Sequence, residues 1–211
     1  MNRRLTSHFF WGSHSPLSAL GGVVLIILAS SRFAFAIVCA IALIWVFVLT
    51  ALIFSLARPI MPLKGRNVIL LFLSAFFCGL FALLASLINP LLILGTIFYL
   101  LLIPSWCLSS GFFEAAEESK DLIEVALRAL LEAATMAGII LAVSLVREPL
   151  GMGTISLPGS VHGIIEFFGG QDADTFVPAR ILSVSAGGLL LLGYVIALYR
   201  FFREQNGGSV Y

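Results

Sequence analysis

The chain has 211 residues, 60% of them hydrophobic, with only 12 Lys+Arg against 11 Asp+Glu and a formal net charge of +1. Its mean hydropathy of +1.09 lies far above that of soluble domains, whose charged fraction is nearer ~25%. This fits a single membrane domain over 1–211 with the lipid bilayer as its first partner, and it excludes a basic nucleic-acid surface.

Taken in chain order, Met1-Asn2-Arg3-Arg4 carries two arginines with no small-residue cleavage site after the first apolar stretch, so it reads as a retained cytoplasmic tail. A bilayer core needs about 20 apolar residues per helix. Six segments are expected to supply them: Pro16–Ser30, Phe33–Leu56, Val68–Ile88, Leu91–Ser110, Ala126–Val146 and Ile181–Phe202. The first is short and weakened by Gly21-Gly22, as a half-helix would be. The fourth is interrupted at Pro104, which removes a backbone donor, while Ser105, Ser109, Ser110 and Gly111 offer the freed groups other partners. Broken helices survive in a membrane only where protein or a cavity covers the break, and such breaks tend to bind ions or cofactors.

Basic residues set the expected orientation. With both termini inside, Arg3, Arg4, Arg58, Lys64, Arg66, Lys120, Arg128, Arg200 and Arg203 are cytoplasmic, and only Arg32, Arg147 and Arg180 are outside. The stretch from Gly151 to Pro178 then lies outside. Its Ile164, Ile165, Phe167 and Phe168, beside Gly169-Gly170, suggest a short segment in the outer interface, with a disordered extracellular loop as the alternative.

Two local matches recur in the same order. Pro16-Leu17-Ser18-Ala19-Leu20-Gly21 pairs with Pro90-Leu91-Leu92-Ile93-Leu94-Gly95, and Ser55-Leu56-Ala57-Arg58-Pro59 with Ser144-Leu145-Val146-Arg147-Glu148-Pro149. The acidic segment Glu114–Glu124 supplies most of the extra length of the second half. Three spans per half is an odd number, so repeats over about 16–89 and 90–203 would face opposite ways and place a working site near the midplane. The expected fold class is therefore an all-α integral membrane protein. It has six transmembrane helices in two inverted three-helix repeats, with the first and fourth helices broken.

The second half resembles a known family. Cys107-Leu108-Ser109-Ser110-Gly111-Phe112-Phe113-Glu114-Ala115 is similar to the Cys-x-x-x-Gly-x-x-Glu-Ala signature of the membrane subunits of Rnf and Nqr complexes. Arg147-Glu148-Pro149-Leu150-Gly151-Met152-Gly153-Thr154 resembles the Arg-Glu-x-x-Gly-x-Gly-x-Leu run after the fifth helix of the RnfE/NqrD type, and Leu182–Leu189 resembles that type's last helix. The resemblance implies a subunit of an ion-translocating electron-transfer complex in a bacterial cytoplasmic (inner) membrane. It also implies a paralogous membrane subunit and other electron-transfer subunits as partners. In that family two paralogous subunits each give two cysteines to one shared iron–sulfur cluster, here expected as a [2Fe-2S] type, since such clusters take thiolate ligands, usually four. Neither subunit holds it alone.

The chain departs from that pattern at the break. Val24 stands where the first cysteine belongs, Ser105-Trp106-Cys107 replaces Thr-Asn-Cys, Phe112 replaces an arginine and Arg128 an aspartate. Cys107 then has two readings, a cofactor- and metal-binding ligand of the shared cluster or a buried thiol packing as a small hydrophobe. Cys39 and Cys78 read as the latter, and three dispersed cysteines form no disulfide framework. Glu132 is either an intramembrane carboxylate on an ion path or an interfacial group beside Arg128 at i,i+4. Arg147 and Glu148 either bind a partner, fix the broken-helix backbone, or mark an ordinary interfacial stop. Glu114, Glu117, Glu118 and Asp121 form a cation-attracting mouth or a solvated loop, and the glycines 187, 188 and 193 permit close helix packing. No catalytic residues are expected: the sequence carries no triad, phosphate-cradling loop or flavin-attachment motif, and His8, His14 and His162 form no cluster. The function expected is a midplane electron-transfer or redox-silent scaffold subunit. The alternative is an independent transporter of a small solute or ion on the same fold.

Overall fold

A computed structural model describes residues 20–57, 65–110, 112–115, 122–159, 163–167 and 180–205. Its helices are α1 (Leu20–Ala29), α2 (Phe33–Ala57), α3 (Arg66–Ile88), α4 (Pro90–Leu100), α5 (Ile103–Ser109), α6 (Phe112–Ala115), α7 (Leu122–Met152) and α8 (Ser185–Gln205). Two strands, β1 (Ile155–Pro158) and β2 (Ile164–Phe167), and a 3-10 turn (Arg180–Ser183) complete the described elements.

Four helical segments are long and apolar enough to cross a membrane: Phe33–Ala57, Arg66–Ile88, Pro90–Ser109 and Leu122–Met152. Their outward faces are what such helices present to lipid. Phe72, Phe76, Leu83, Leu87, Ile88, Leu91, Leu94 and Phe98 form an exposed apolar run along α3 and α4, larger than a water-facing surface tolerates. At about 1.5 Å per residue, the described part of α1 spans about 15 Å. Residues before Leu20, including the expected start at Pro16, lie outside the described part.

α2 sits at the centre. It packs most extensively along α7, and also against α3, α4 and the β1 strand. The core runs through Leu43, Val46, Phe47 and Ala51 of α2, Ala133, Met136 and Ile140 of α7, and Leu100, Ile103, Trp106 and Cys107 around the α4–α5 junction. Phe47 stacks against Trp106, Phe112 and Phe113, with ring centroids 4.7, 5.1 and 5.4 Å apart, which closes the bundle at the α6 end.

The opposite end is closed by β1 and β2, an antiparallel pair with Ile155 opposite Phe167 and Pro158 opposite Ile164. Over Ile155–Pro158 and Ile164–Phe167 the segment after α7 is thus an ordered strand pair, which corrects the alternative of a disordered loop. Phe168, Gly169 and Gly170 lie outside the described residues. An isolated two-stranded hairpin is marginal, so its anchors decide. Ser156 Oγ accepts from the Ala34 N–H at 3.1 Å, Glu166 bridges Arg32 at 2.9 Å, and Asn89 donates to the Gly159 carbonyl.

Candidate functional site

Helix α7 does not stop at Arg147, as an interfacial terminus would. It continues through Glu148 and Pro149 to Met152, and both charged residues are buried, Arg147 at 2% and Glu148 at 1% exposure. Burying a charge is costly unless polar partners surround it, and Glu148 Oε1 is left without one. Arg147 donates from Nη1 to the Ile27 carbonyl at 2.5 Å and to Ser30 Oγ at 3.1 Å, from Nε to the Leu182 carbonyl at 2.7 Å, and from Nη2 to the Ser183 carbonyl at 3.2 Å.

These bonds serve the C-terminal end of α1, where the last carbonyls lack intrahelical partners. Ser30 N–H serves the Ile26 carbonyl, Ser31 N–H that of Leu28, and Arg147 that of Ile27. Glu148 does the converse at the start of α2, where Oε2 accepts from the Phe33 N–H at 2.6 Å and Ser156 takes the Ala34 N–H. A cation at the end of one helix and an anion at the start of the next both complement the helix dipoles. The pair therefore clamps the α1–α2 turn and ties it to the 3-10 turn before α8. Of the three sequence readings, fixing backbone at a helix end is the one this geometry carries, and the interfacial stop is corrected.

Glycines make the clamp possible. A Cβ at Gly151 would come 2.8 Å from the Ser183 nitrogen, and one at Gly188 would come 3.1 Å from the Arg147 guanidinium carbon. Gly153 ends α7 at φ +69, a left-handed conformation that suits glycine, with its N–H on the Pro149 carbonyl at 3.0 Å.

The break in the fourth helix is milder than its sequence suggests. α4 ends at Leu100 and α5 begins at Ile103, but Leu101 (φ −63, ψ −16) and Leu102 (φ −83, ψ −18) stay right-handed, so the helix kinks without unwinding. Pro104 sits in the first turn of α5, where its missing N–H costs least within that helix. It leaves the Leu100 carbonyl without its i+4 donor, and the Cys78 thiol fills that role at 3.1 Å from α3. Ser105, Ser109 and Ser110 bond carbonyls three residues back, those of Leu102, Trp106 and Cys107. Sequence reasoning treated Cys78 as filler. No local signal could have found its bond, because its partner lies 22 residues away on another helix.

Cys107 is fully buried within the chain's own core, next to Trp106, and is a free thiol like Cys39 and Cys78. A ligand shared with a partner subunit has to reach the surface between them. Val24, at the position of the missing cysteine, is 43% exposed, while Cys107 is at 0%. One inward-facing thiol and one outward-facing valine do not fit a shared iron–sulfur cluster, and no step is derived through one. Gly111 lies outside the described residues. Glu114 lies in α6, and its carboxylate, with Glu117, Glu118 and Asp121, is likewise outside the described part.

Glu132 does not pair with Arg128. Arg128 Nη2 reaches Glu124 at 2.5 Å, whereas Glu132 is buried at 7% exposure with Oε1 lacking any hydrogen bond. The sequence thus singled out Arg147, Glu148, Gly151 and Pro104 at positions the fold uses, but it missed Cys78 and the indole of Trp106. No known family model matches this chain, and no curated protein matches it.

Proposed function

We propose that the chain is a membrane-embedded subunit of an ion-translocating, Rnf/Nqr-like electron-transfer complex, in its redox-silent scaffold form. The observation that carries this reading is the Arg147–Glu148 clamp. The two charged residues of the resembling motif are buried, fully engaged at Arg147, and join the end of α7 to the α1–α2 turn, which is to say one half of the chain to the other. Six spans in two inverted repeats are part of the proposal. In its support, α1 ends and α4 begins at the hairpin end, and Gly21 of α1 lies against Ser109 and Trp106 of α5, so the two short helices run antiparallel. The orientation follows the basic residues, with both termini cytoplasmic and the hairpin outside.

The scaffold form follows from the donor set, since Val24 and an enclosed Cys107 leave the chain without two outward thiolates. Its partners are a paralogous membrane subunit and the flavin- or iron–sulfur-carrying subunits of the complex. The test is anaerobic purification in mild detergent, with mass spectrometry of what accompanies the chain and iron measured per complex. Recovery of paralogous subunits, with iron and electron transfer unchanged in Cys107→Ala, is the expected result. Loss of iron in that variant would restore the cluster-ligand reading. Recovery of the chain alone or as a homo-oligomer would sink the subunit reading and put an independent small-solute or ion transporter in its place.

A further inference from the structure

The interior of the bundle holds a layer of polar atoms that its packing leaves without partners. The bond from Phe33 N–H to Glu148 fixes the antiparallel register of α2 against α7. Thr50 and Glu132 each lie about 25 Å down their helices from that bond, so they share one depth inside the membrane. Trp106 stacks on Phe47, one turn from Thr50, and its neighbour Cys107 lies within electrostatic reach of Glu132. Thr50 Oγ1 and Glu132 Oε1 thus share this level on α2 and α7, with Trp106 Nε1 approaching from α5 through Phe47, and each of the three atoms is buried and without a hydrogen bond.

Leaving a buried polar group unsatisfied costs about 1–3 kcal/mol, so three at one level call for a role. Among the described residues, none offers Glu132 a counter-charge. Arg128, one turn away on α7, is engaged by Glu124, and the titratable group that faces Glu132 from another helix among the described residues is the thiol of Cys107 (α5). The chemistry of the layer selects among ligands. An indole N–H only donates, so it repels a metal cation. Thr50 and Glu132 supply far fewer side-chain oxygens than the roughly six that hard cations take. A proton needs only the carboxylate, and a neutral carboxyl is the form a low-dielectric interior accepts most readily.

We propose that Glu132 is a proton-binding site inside the membrane bundle, with Thr50 and Trp106 as its positioning residues. This stands on the chain's own residues and does not depend on the partner complex.

Dicyclohexylcarbodiimide provides the test, because it enters apolar interiors and reacts with protonated carboxyls there. The acid adds across a C=N bond of the reagent and rearranges to a stable N-acylurea, which peptide mass mapping locates. In the full-length chain in mild detergent, Glu132 is expected to be modified, with labelling lost as pH is raised and indifferent to sodium. Glu132→Gln should abolish that label while keeping the melting temperature near wild type. Thr50→Val or Trp106→Phe should shift the pH midpoint of labelling, a readout that a merely structural role would leave in place. An unreactive Glu132 at every pH in the folded wild-type chain overturns the proposal. Protection by sodium at constant pH also overturns it, by assigning the site to a metal cation, and a midpoint unmoved in both variants removes the positioning role.

Discussion

Arg147 donates from all three nitrogens of its guanidinium, and three of the four acceptors are backbone carbonyls that end or begin helical segments. Removing the side chain strands those acceptors in a buried site. Arg147→Ala should therefore destabilise the folded chain by about 3–5 kcal/mol, toward the upper end for single substitutions. Arg147→Lys should recover only part of this, because an ammonium is a point donor and cannot span carbonyls of both the α1 end and the turn before α8. Thermal melting in one detergent checks both, and equal melting temperatures for wild type and Arg147→Lys would refute the planar-fork argument. The clamp also shows where sequence reading stops. That Arg147 and Glu148 matter was legible from the motif they sit in. That they are buried was not, because Glu148 bonds Phe33 across 115 residues and Arg147 bonds Ile27 across 120. Hydropathy scores a charged residue as though it faced water, and only the tertiary partners reverse that.

At the scale of elements, the helices were legible because long apolar runs leave little choice in a bilayer, and their observed ends fall close to those expected. The exceptions are α7, which starts at Leu122 and runs past Val146 to Met152 where the clamp holds it, and α8, which starts at Ser185 because 180–183 form the 3-10 turn that Arg147 binds. The kink between α4 and α5 was legible as an interruption from Pro104, since a missing N–H is a local fact. Its mildness was not, because the freed Leu100 carbonyl is satisfied by Cys78 on α3. This makes a coupling prediction. Cys78→Ala should cost about 1–2 kcal/mol, from the lost bond and the small void. Pro104→Ala restores an N–H at the position that normally serves Leu100, so in that background the same substitution should cost about 1 kcal/mol less. A double-mutant cycle of melting free energies measures the difference, and strict additivity would show that the thiol is not standing in for the missing donor. The hairpin was not legible at all, because what holds β1 and β2 is three anchors on α2, the residue before it, and the α3–α4 turn.

Across the whole molecule the described charges sort by end. Arg32, Arg147 and Arg180 lie at the hairpin end, and Arg66 and Arg128 at the other. Arg32 is paired with Glu166, and Arg147 keeps its charge but is buried among the carbonyls it clamps. Sidedness can be read with cysteines at exposed positions, because the native thiols Cys39, Cys78 and Cys107 are all buried and give little background. Ile165 of β2 is half exposed, and Leu122 at the start of α7 is exposed at the opposite end. In spheroplasts, a membrane-impermeant maleimide should label Ile165→Cys directly and Leu122→Cys only after permeabilisation. The reverse pattern would invert the orientation and with it the side from which protons reach Glu132. Both sites reacting in sealed spheroplasts would mean that the bundle does not separate the two ends across a membrane, and the transmembrane reading of the four long helices would fall.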